Sequence, residues 1–508
     1  MSTTATVGAT KLTRRDLVKF GGAACLVAGG LGVAGAKARA DEPAAAGFVV
    51  GAADINFTKE ADVLIIGTGV AGLSAAMEPA LAGKKIILAE KKGAFGGDSN
   101  TSCWFMFGSG TKRQLAAGLT TTIDDAWAAA AEKQSALYEY DWWPEWAKGK
   151  YYATTEWYDC AEESFGCEFA DPCTEEELPR LGGGVVLPAK GIASGYEYVM
   201  APIAAKLEEM GCEFAYGLKA TALIKDAPDG AVIGCRFTNV DDGSIVDIKA
   251  AATVIATGCF IDNGEMMNAY LPDWAHYGTL VNGSSMGEGH LMAAAAGAKL
   301  VGMDSSIAKH YANLMGDLPN ATTWGYWTPL VLVLPNGKRF IQEGQSHDAG
   351  QACVDAGYRE WWVMFDQRAF DNRSIGTSVA NNVSLHEDVY RTAETIEEMA
   401  TLMDVPVDAL VSTFAEYDGY VDAGEDAAFG KTAWLDKLQP PYHALKLNVV
   451  RYKTAGGLMC GPNNLVLDVN DAEIPGLYAC GAVALPAQAS VSGCAATGYY
   501  TGKSVAQA

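Results

Sequence analysis

Four apolar residues, Val63-Leu64-Ile65-Ile66, pass without a break into Gly67-Thr68-Gly69-Val70-Ala71-Gly72, and the next apolar run, Ile86-Ile87-Leu88-Ala89, closes on Glu90. A strand, a glycine turn, an Ala-rich helix and a second strand ending in a carboxylate read as one βαβ unit. Each glycine has a mechanical reason: Gly67 permits the tight strand-to-helix turn, Gly69 lets backbone approach a pyrophosphate, and Gly72, with Ala76 one turn on, lets the helix lie close to the sheet. The helix N-terminus then faces the phosphates. Glu90 stands 23 residues after Gly67, where an acidic side chain reaches the ribose hydroxyls of an adenosine. A lone glycine motif of this kind is weak evidence, but here four features stand in register, and the turn reads as a dinucleotide cradle rather than a bare structural turn.

With 508 residues, 49% of them hydrophobic, the chain can bury one large core or two moderate ones. The first forty residues stand apart. Thr13-Arg14-Arg15-Asp16-Leu17-Val18-Lys19 precedes a Gly/Ala-rich apolar stretch from Phe20 to Ala36 that ends at Ala38-Arg39-Ala40. This reads as a twin-arginine export signal. A membrane anchor is disfavoured because the stretch is short and interrupted by glycines. Export by this route suits a protein that folds around its cofactor first, and the expected location is periplasmic or elsewhere outside the cytoplasm. Taking away the six basic residues and one acidic residue of positions 1–40 carries the formal charge from −24 to −29. Nucleic acid is therefore an unsuitable partner. The acidity suits solubility or docking to a basic redox partner, or is a compositional habit of the host. No CxxCH occurs, so the chain carries no c-type haem motif. Cys160, Cys167 and Cys173 match no common cluster spacing and read as thiols.

Along the chain, 41–59 reads as a linker. Behind Glu90 comes a glycine turn, Gly93-Ala94-Phe95-Gly96-Gly97-Asp98-Ser99, whose small residues allow close backbone approach to a flat ring or a phosphate. Phe214–Lys225 and Ala231–Val240 read as strands leading to a buried one that ends at Ala256-Thr257-Gly258. Gly287-Glu288-Gly289 then opens an Ala-rich buried helix expected over His290–Leu300. Between 303 and 440 the segments become aromatic and charge-mixed, as expected of an inserted second domain. The glycine-rich strand pattern returns after Pro440-Pro441 and runs to a final helix expected from about Thr497.

These pieces, in this order, resemble the FAD-dependent fumarate reductase/succinate dehydrogenase flavoprotein family, in its soluble branch with fumarate, urocanate and ketosteroid-acting members. The likeness spans nearly all of 60–508. It rests on the cradle at Gly67, Glu90, Gly96-Gly97, Ala256-Thr257-Gly258, Gly287-Glu288-Gly289, Gly337-Lys338-Arg339-Phe340, Gly456-Gly457 and Pro475-Gly476-Leu477-Tyr478-Ala479-Cys480-Gly481. It implies an α/β fold: a Rossmann-like FAD-binding domain (60–302 and 441–508) with an inserted α+β capping domain (303–440). By the same resemblance Val70, Ala71, Lys91, Ser99, Ala220, Glu288, Gly457, Gly481 and Ala482 join the cradle residues around FAD. No histidine stands near Asp98-Ser99, where members with covalent flavin carry one, so non-covalent FAD is expected.

The resemblance also implies hydride transfer between flavin N5 and a carbon, with a proton moved at the neighbouring carbon. Counted without gaps from Arg339, the proton-donating arginine of the dicarboxylate reductases falls at His347, its relay arginine at Tyr326 and the relay glutamate at Thr323. All three differ here. His310 and Thr322 retain the histidine and threonine that bind one end of the substrate. Lys453 replaces a histidine, and the stretch 486–494 lacks the arginine that would grip a second carboxylate. Loss of bidentate arginines argues against a dicarboxylate. Tyr326 and His347 each suit proton transfer beside an enone, or serve as pocket walls. The aromatic crowd between Tyr138 and Tyr158 reads as core or subunit contact, or as a substrate wall.

The expected activity is reduction of a C=C bond conjugated to a carbonyl, on a small-molecule enoate or enone, with electrons from an external membrane-linked cytochrome or flavoprotein. The alternatives are a flavin dehydrogenase desaturating a ketosteroid-like substrate, fumarate reduction proper, or a flavin-bearing electron carrier.

Overall fold

The computed structural model describes residues 47–507 apart from 103, 105, 136–139, 175–183, 280–282, 305–310, 313–320, 344–348, 452 and 486–489. Its centre is the strand Lys59–Ile66, flanked in parallel by Ile86–Ala89 and Ile245–Ile255. Val63 to Ile66 are all but inaccessible, as continuous apolar strands of a sheet covered on both faces must be. Burying such a side chain contributes about 1.5–3 kcal/mol, which fixes this strand at the middle. The nine-stranded sheet runs in the order Val49–Gly51, Leu218–Lys225, Val232–Asn239, Ile245–Ile255, Lys59–Ile66, Ile86–Ala89, Glu213–Ala215, with Leu465–Leu467 and Glu473–Ala479 attached beside it.

Four helices position the site: α1 (Val70–Leu81), α2 (Trp143–Phe165), α3 (Glu288–Ala295) and α4 (Val491–Gln507). Glycines make the close layers possible. A Cβ at Gly67 would lie 2.5 Å from the Ala256 carbonyl oxygen, and one at Gly72 would collide with the Gly67 carbonyl. On α4, a Cβ at Gly498 would collide with the Ala71 carbonyl, so α4 can pack backbone to backbone on α1.

The inserted region builds its own antiparallel sheet from Tyr311–Ala312, Leu330–Val333, Glu360–Phe365, Tyr390–Ala393 and Tyr442–Val450. Val331, Trp362, Met364, Met399, Leu410 and Phe414 form its separate core. A buried ionic knot stitches it. Arg339 donates to Glu343 (Nε to Oε1, 2.8 Å) and to Asp426 (Nη2 to Oδ2, 2.8 Å), while Lys431 Nζ sits 3.7 Å from Glu343 Oε2.

Several boundaries differ from the sequence expectation. The segment 41–59 is not all linker, because Val49–Gly51 pairs in parallel with Leu223–Lys225 at the sheet edge. The strand expected over Phe214–Lys225 is two strands, broken at Gly217, whose φ is +71°. The helix expected over His290–Leu300 is Glu288–Ala295; Gly297 turns the chain and Leu300 pairs with Leu458 instead. The final helix begins at Val491. Tyr442–Val450 pairs with Glu360–Phe365, so the second sheet draws a strand from beyond residue 440. Trp143, Trp146, Trp157 and Tyr158 are buried in the core along α2 and do not line the cavity described below.

Candidate active site

A cavity opens at the carboxyl ends of Lys59–Ile66, Ile86–Ala89 and Ile245–Ile255, where an open parallel sheet takes its ligands. At one end Glu90 is held with its carboxylate accepting from Thr68 N (3.1 Å), Thr68 Oγ1 (2.7 Å) and Lys92 N (2.9 Å). Three donors fix the carboxylate without exhausting its acceptor sites. Leu218 and Ala220 wall this end, and the Lys91–Glu288 ion pair (2.7 Å) ties the strand end to the start of α3.

In the middle stands the N-terminus of α1, with Gly69 as its cap and no side-chain cap on it from that residue. The first-turn amides of a helix have no intrahelical acceptor. Val70 N donates instead to Ser99 Oγ (3.1 Å). At the far end Asp98 accepts from Ser284 Oγ (2.6 Å) and from Ser285 Oγ. Cys259, Lys453, Ala482, Ser490, Val491 and Cys494 complete that wall. Burial pushes the Cys494 thiol up to about 11 against the pull of nearby Lys453. Behind the wall, burial of His290 against Phe260 holds its imidazole down to about 4, so it is neutral, with Nε2 3.2 Å from the Gly456 carbonyl oxygen.

The residues present fit a dinucleotide. Thr257 Oγ1 is buried on the cavity wall with no hydrogen-bond partner, an orphan that a ligand group would satisfy. A Cβ at Gly69 would meet nothing closer than Ser99 Oγ at 3.4 Å, and one at Gly97 nothing within 4 Å. The space over both glycines is open to a ligand.

The structure brings Gly67, Gly69, Val70, Ala71, Glu90, Lys91, Gly97, Ser99, Ala220, Thr257, Gly258, Glu288, Ala482 and Lys453 to this one wall. Gly72, Gly96, Gly457 and Gly481 stand behind it, where crowded backbone leaves no room for a Cβ at Gly72 or Gly457 and the Ala71 methyl leaves none at Gly481. Tyr326 is half-buried away from the cavity lining, its carbonyl accepting from Trp434 Nε1 (2.9 Å). His310 and His347 lie outside the described residues, as does the side chain of Thr322. Sequence reasoning missed Thr68, Ser284, Ser285, Ser490 and Cys494. Of these, only the Gly283-Ser284-Ser285 run of small residues ahead of Gly287 carried a signal.

The model of the FAD binding domain family matches residues 62–498. The chain belongs to the FAD-dependent fumarate reductase/succinate dehydrogenase flavoprotein family. It is 28% identical over 436 residues to a probable fumarate reductase of Shewanella frigidimarina, covering 83% of this chain and 69% of that one. It is 26% identical over 460 residues to a vinyl phenol reductase of Lactiplantibacillus plantarum, covering 83% and 89%. Its fold matches the open conformation of a flavocytochrome c3 fumarate reductase with a TM-score of 0.69 at 24% identity, over 89% of this chain and 79% of that one. This flavoprotein is thus an FAD-dependent oxidoreductase whose relatives act on C=C bonds. Glu90 and the start of α1 line its cavity.

Proposed function

We propose that the flavoprotein is an exported reductase that saturates a C=C bond conjugated to a carbonyl, in a substrate other than a dicarboxylate. The observation that carries this reading is Lys453 on the cavity wall, in a lining that contains no arginine among the described residues. One ammonium polarises one carbonyl or carboxylate oxygen as a point charge. Clamping two carboxylates calls for bidentate guanidinium groups, and the stretch 486–494, where the resemblance places the second carboxylate-binding arginine, has no basic residue, while the proton-donating and relay arginines are replaced by His347 and Tyr326. The vinyl phenol reductase among the relatives, named for a substrate with no carboxylate, is consistent with this.

Bound FAD would supply the hydride. The protein's share is to hold the acceptor and move the proton. Lys453 draws electron density toward the substrate's carbonyl oxygen, which makes the distal alkene carbon electrophilic. The proton for the neighbouring carbon comes from the cap, at Tyr326 or His347. The chain carries no haem motif, so the electrons come from an external membrane-linked cytochrome or flavoprotein. Arg14-Arg15 and the apolar stretch after them support export; residues 1–40 fused to a folded reporter should carry it out of the cytoplasm only while both arginines are present.

The test is anaerobic reoxidation of the reduced holoprotein against enones, monocarboxylate enoates and fumarate, with a reduced viologen and an oxidising dye run in parallel to settle direction. Tyr326→Phe or His347→Phe should lower kcat by about 100-fold or more if that residue delivers the proton. Full activity in either variant removes that residue from the path.

A further inference from the structure

Asp98 lines the cavity on a single helical turn, Gly97–Thr101, which Gly96 and Gly97 open with φ of +121° and +50°. Both of its carboxylate oxygens are engaged. Oδ1 accepts from Ser284 Oγ (2.6 Å) and Oδ2 from Ser285 Oγ, and both serines line the same cavity. Ser285 is itself fixed: its N–H donates to Asp262 Oδ2 (3.1 Å), its carbonyl accepts from Asp262 N (3.0 Å), and a Cβ at Gly258 would lie only 2.9 Å from its hydroxyl. Hydroxyl donors hold a carboxylate in place without cancelling its charge.

We propose that the isoalloxazine lies against this wall and that Asp98, a fixed anion beside it, lowers the flavin's reduction potential. The start of α1 suits a pyrophosphate, and the carboxylate of Glu90 suits ribose hydroxyls. What remains of the lining for the ring is the stretch of Asp98, Cys259, Ser284, Ser285, Lys453 and Cys494.

Two electrons and one proton taken up by oxidised flavin leave one negative charge on the ring. A carboxylate locked nearby opposes that charge, and charge near the ring is one of the protein's direct means of tuning its electronics. In a cavity walled by protein the opposition acts over several ångströms. Lys453 lines the same cavity and acts in the opposite sense, so the effect of Asp98 is read as a difference between proteins that both keep Lys453. A lower potential makes the reduced flavin the stronger hydride donor. This tuning depends on FAD binding and not on the identity of the substrate.

The test needs no substrate. In spectroelectrochemical titration of the Asp98→Asn holoprotein, the reduced-to-oxidised ratio at a fixed ambient potential should rise at least tenfold, about 30 mV for a two-electron couple. Sulfite, which adds to the oxidised ring and leaves a negative charge on it, should bind at least tenfold more tightly. Asparagine keeps an acceptor for the serines, so a merely structural role would move neither value. Asp98→Glu keeps the charge and should hold both near wild type. A flavin-loaded Asp98→Asn protein with an unchanged or lower potential overturns the proposal. So does a folded variant that no longer holds FAD, because removing a charge that opposes the cofactor's own cannot weaken its binding. If Asp98→Asn does not fold, Asp98→Ser is read the same way.

Discussion

At Gly72 the FAD-binding domain has no side chain at all, and a Cβ there would collide with the Gly67 carbonyl. At Arg339 the cap has one of its largest cations, 5% exposed and gripped by Glu343 and Asp426. The first region is shaped by backbone meeting backbone, so its cavity stands ready before a ligand enters. The second is held by side-chain charges that must all be present. The difference teaches where each region tolerates change: the nucleotide half forbids added atoms, while the cap forbids lost partners.

The sharpest way to break the comparison is Gly72→Val. With no space for the branched side chain, the variant should fail to accumulate as FAD-loaded protein, read as flavin absorbance per polypeptide. Normal loading would show that α1 can lift off the sheet. Next comes Arg339→Met, which strands Glu343 and Asp426 in the cap interior and should cost about 3–5 kcal/mol. Hydrogen exchange should show that loss in Leu330–Val333 and Glu360–Phe365 and spare Lys59–Ile66; uniform loosening would mean that the two regions are not separately stabilised.

His290 sharpens the same contrast through pH. Its imidazole is held at about 4 in the fold, below its ordinary 6.5, by burial. A base with a depressed folded pKa gives stability that is complete above 6.5 and is lost as pH falls through about 4. Over that window the loss is about 3 kcal/mol. His290→Asn should remove that part of the slope in urea unfolding measured between pH 7 and 4, and an identical slope in both proteins would contradict the assignment. The smallest effect is Glu90→Gln, which keeps the shape of the cradle and loses a charged acceptor. FAD should bind more weakly by about 1.5–3 kcal/mol, measured by flavin fluorescence on dilution, with the protein's fold unchanged.

The same contrast explains what could be read from residue order. The cradle was legible because the tight turn at Gly67 and the close helix–sheet contact at Gly72 need glycine, and short-range spacing records such needs. The place of Glu90 on the cavity wall was legible in the same way, at the end of the next strand. The Ser284–Asp98–Ser285 contacts were not, because they join residues more than 180 positions apart and nothing local marks them. The cap's knot was half visible: Arg339 stood in a recognised motif, but its partner Asp426, 87 residues on, did not. The helix expected at His290–Leu300 ran too long because Ala-rich sequence continues to Ala298, and only the backbone at Gly297, with φ +99°, shows where the turn falls. The aromatic residues of α2 were ambiguous in sequence, since large rings serve cores and substrate walls alike, and burial assigns Trp143, Trp146, Trp157 and Tyr158 to the core.

The central claim is that Lys453, on a cavity wall with no arginine among the described residues, selects a single-carbonyl acceptor. Stopped-flow reoxidation of the fully reduced, anaerobic holoprotein tests it most directly, with a neutral enone, a monocarboxylate enoate and fumarate at equal concentration. Reoxidation by the enone or the monocarboxylate at least 100-fold faster than by fumarate is the predicted result. Fumarate as the fastest of the three would contradict the account.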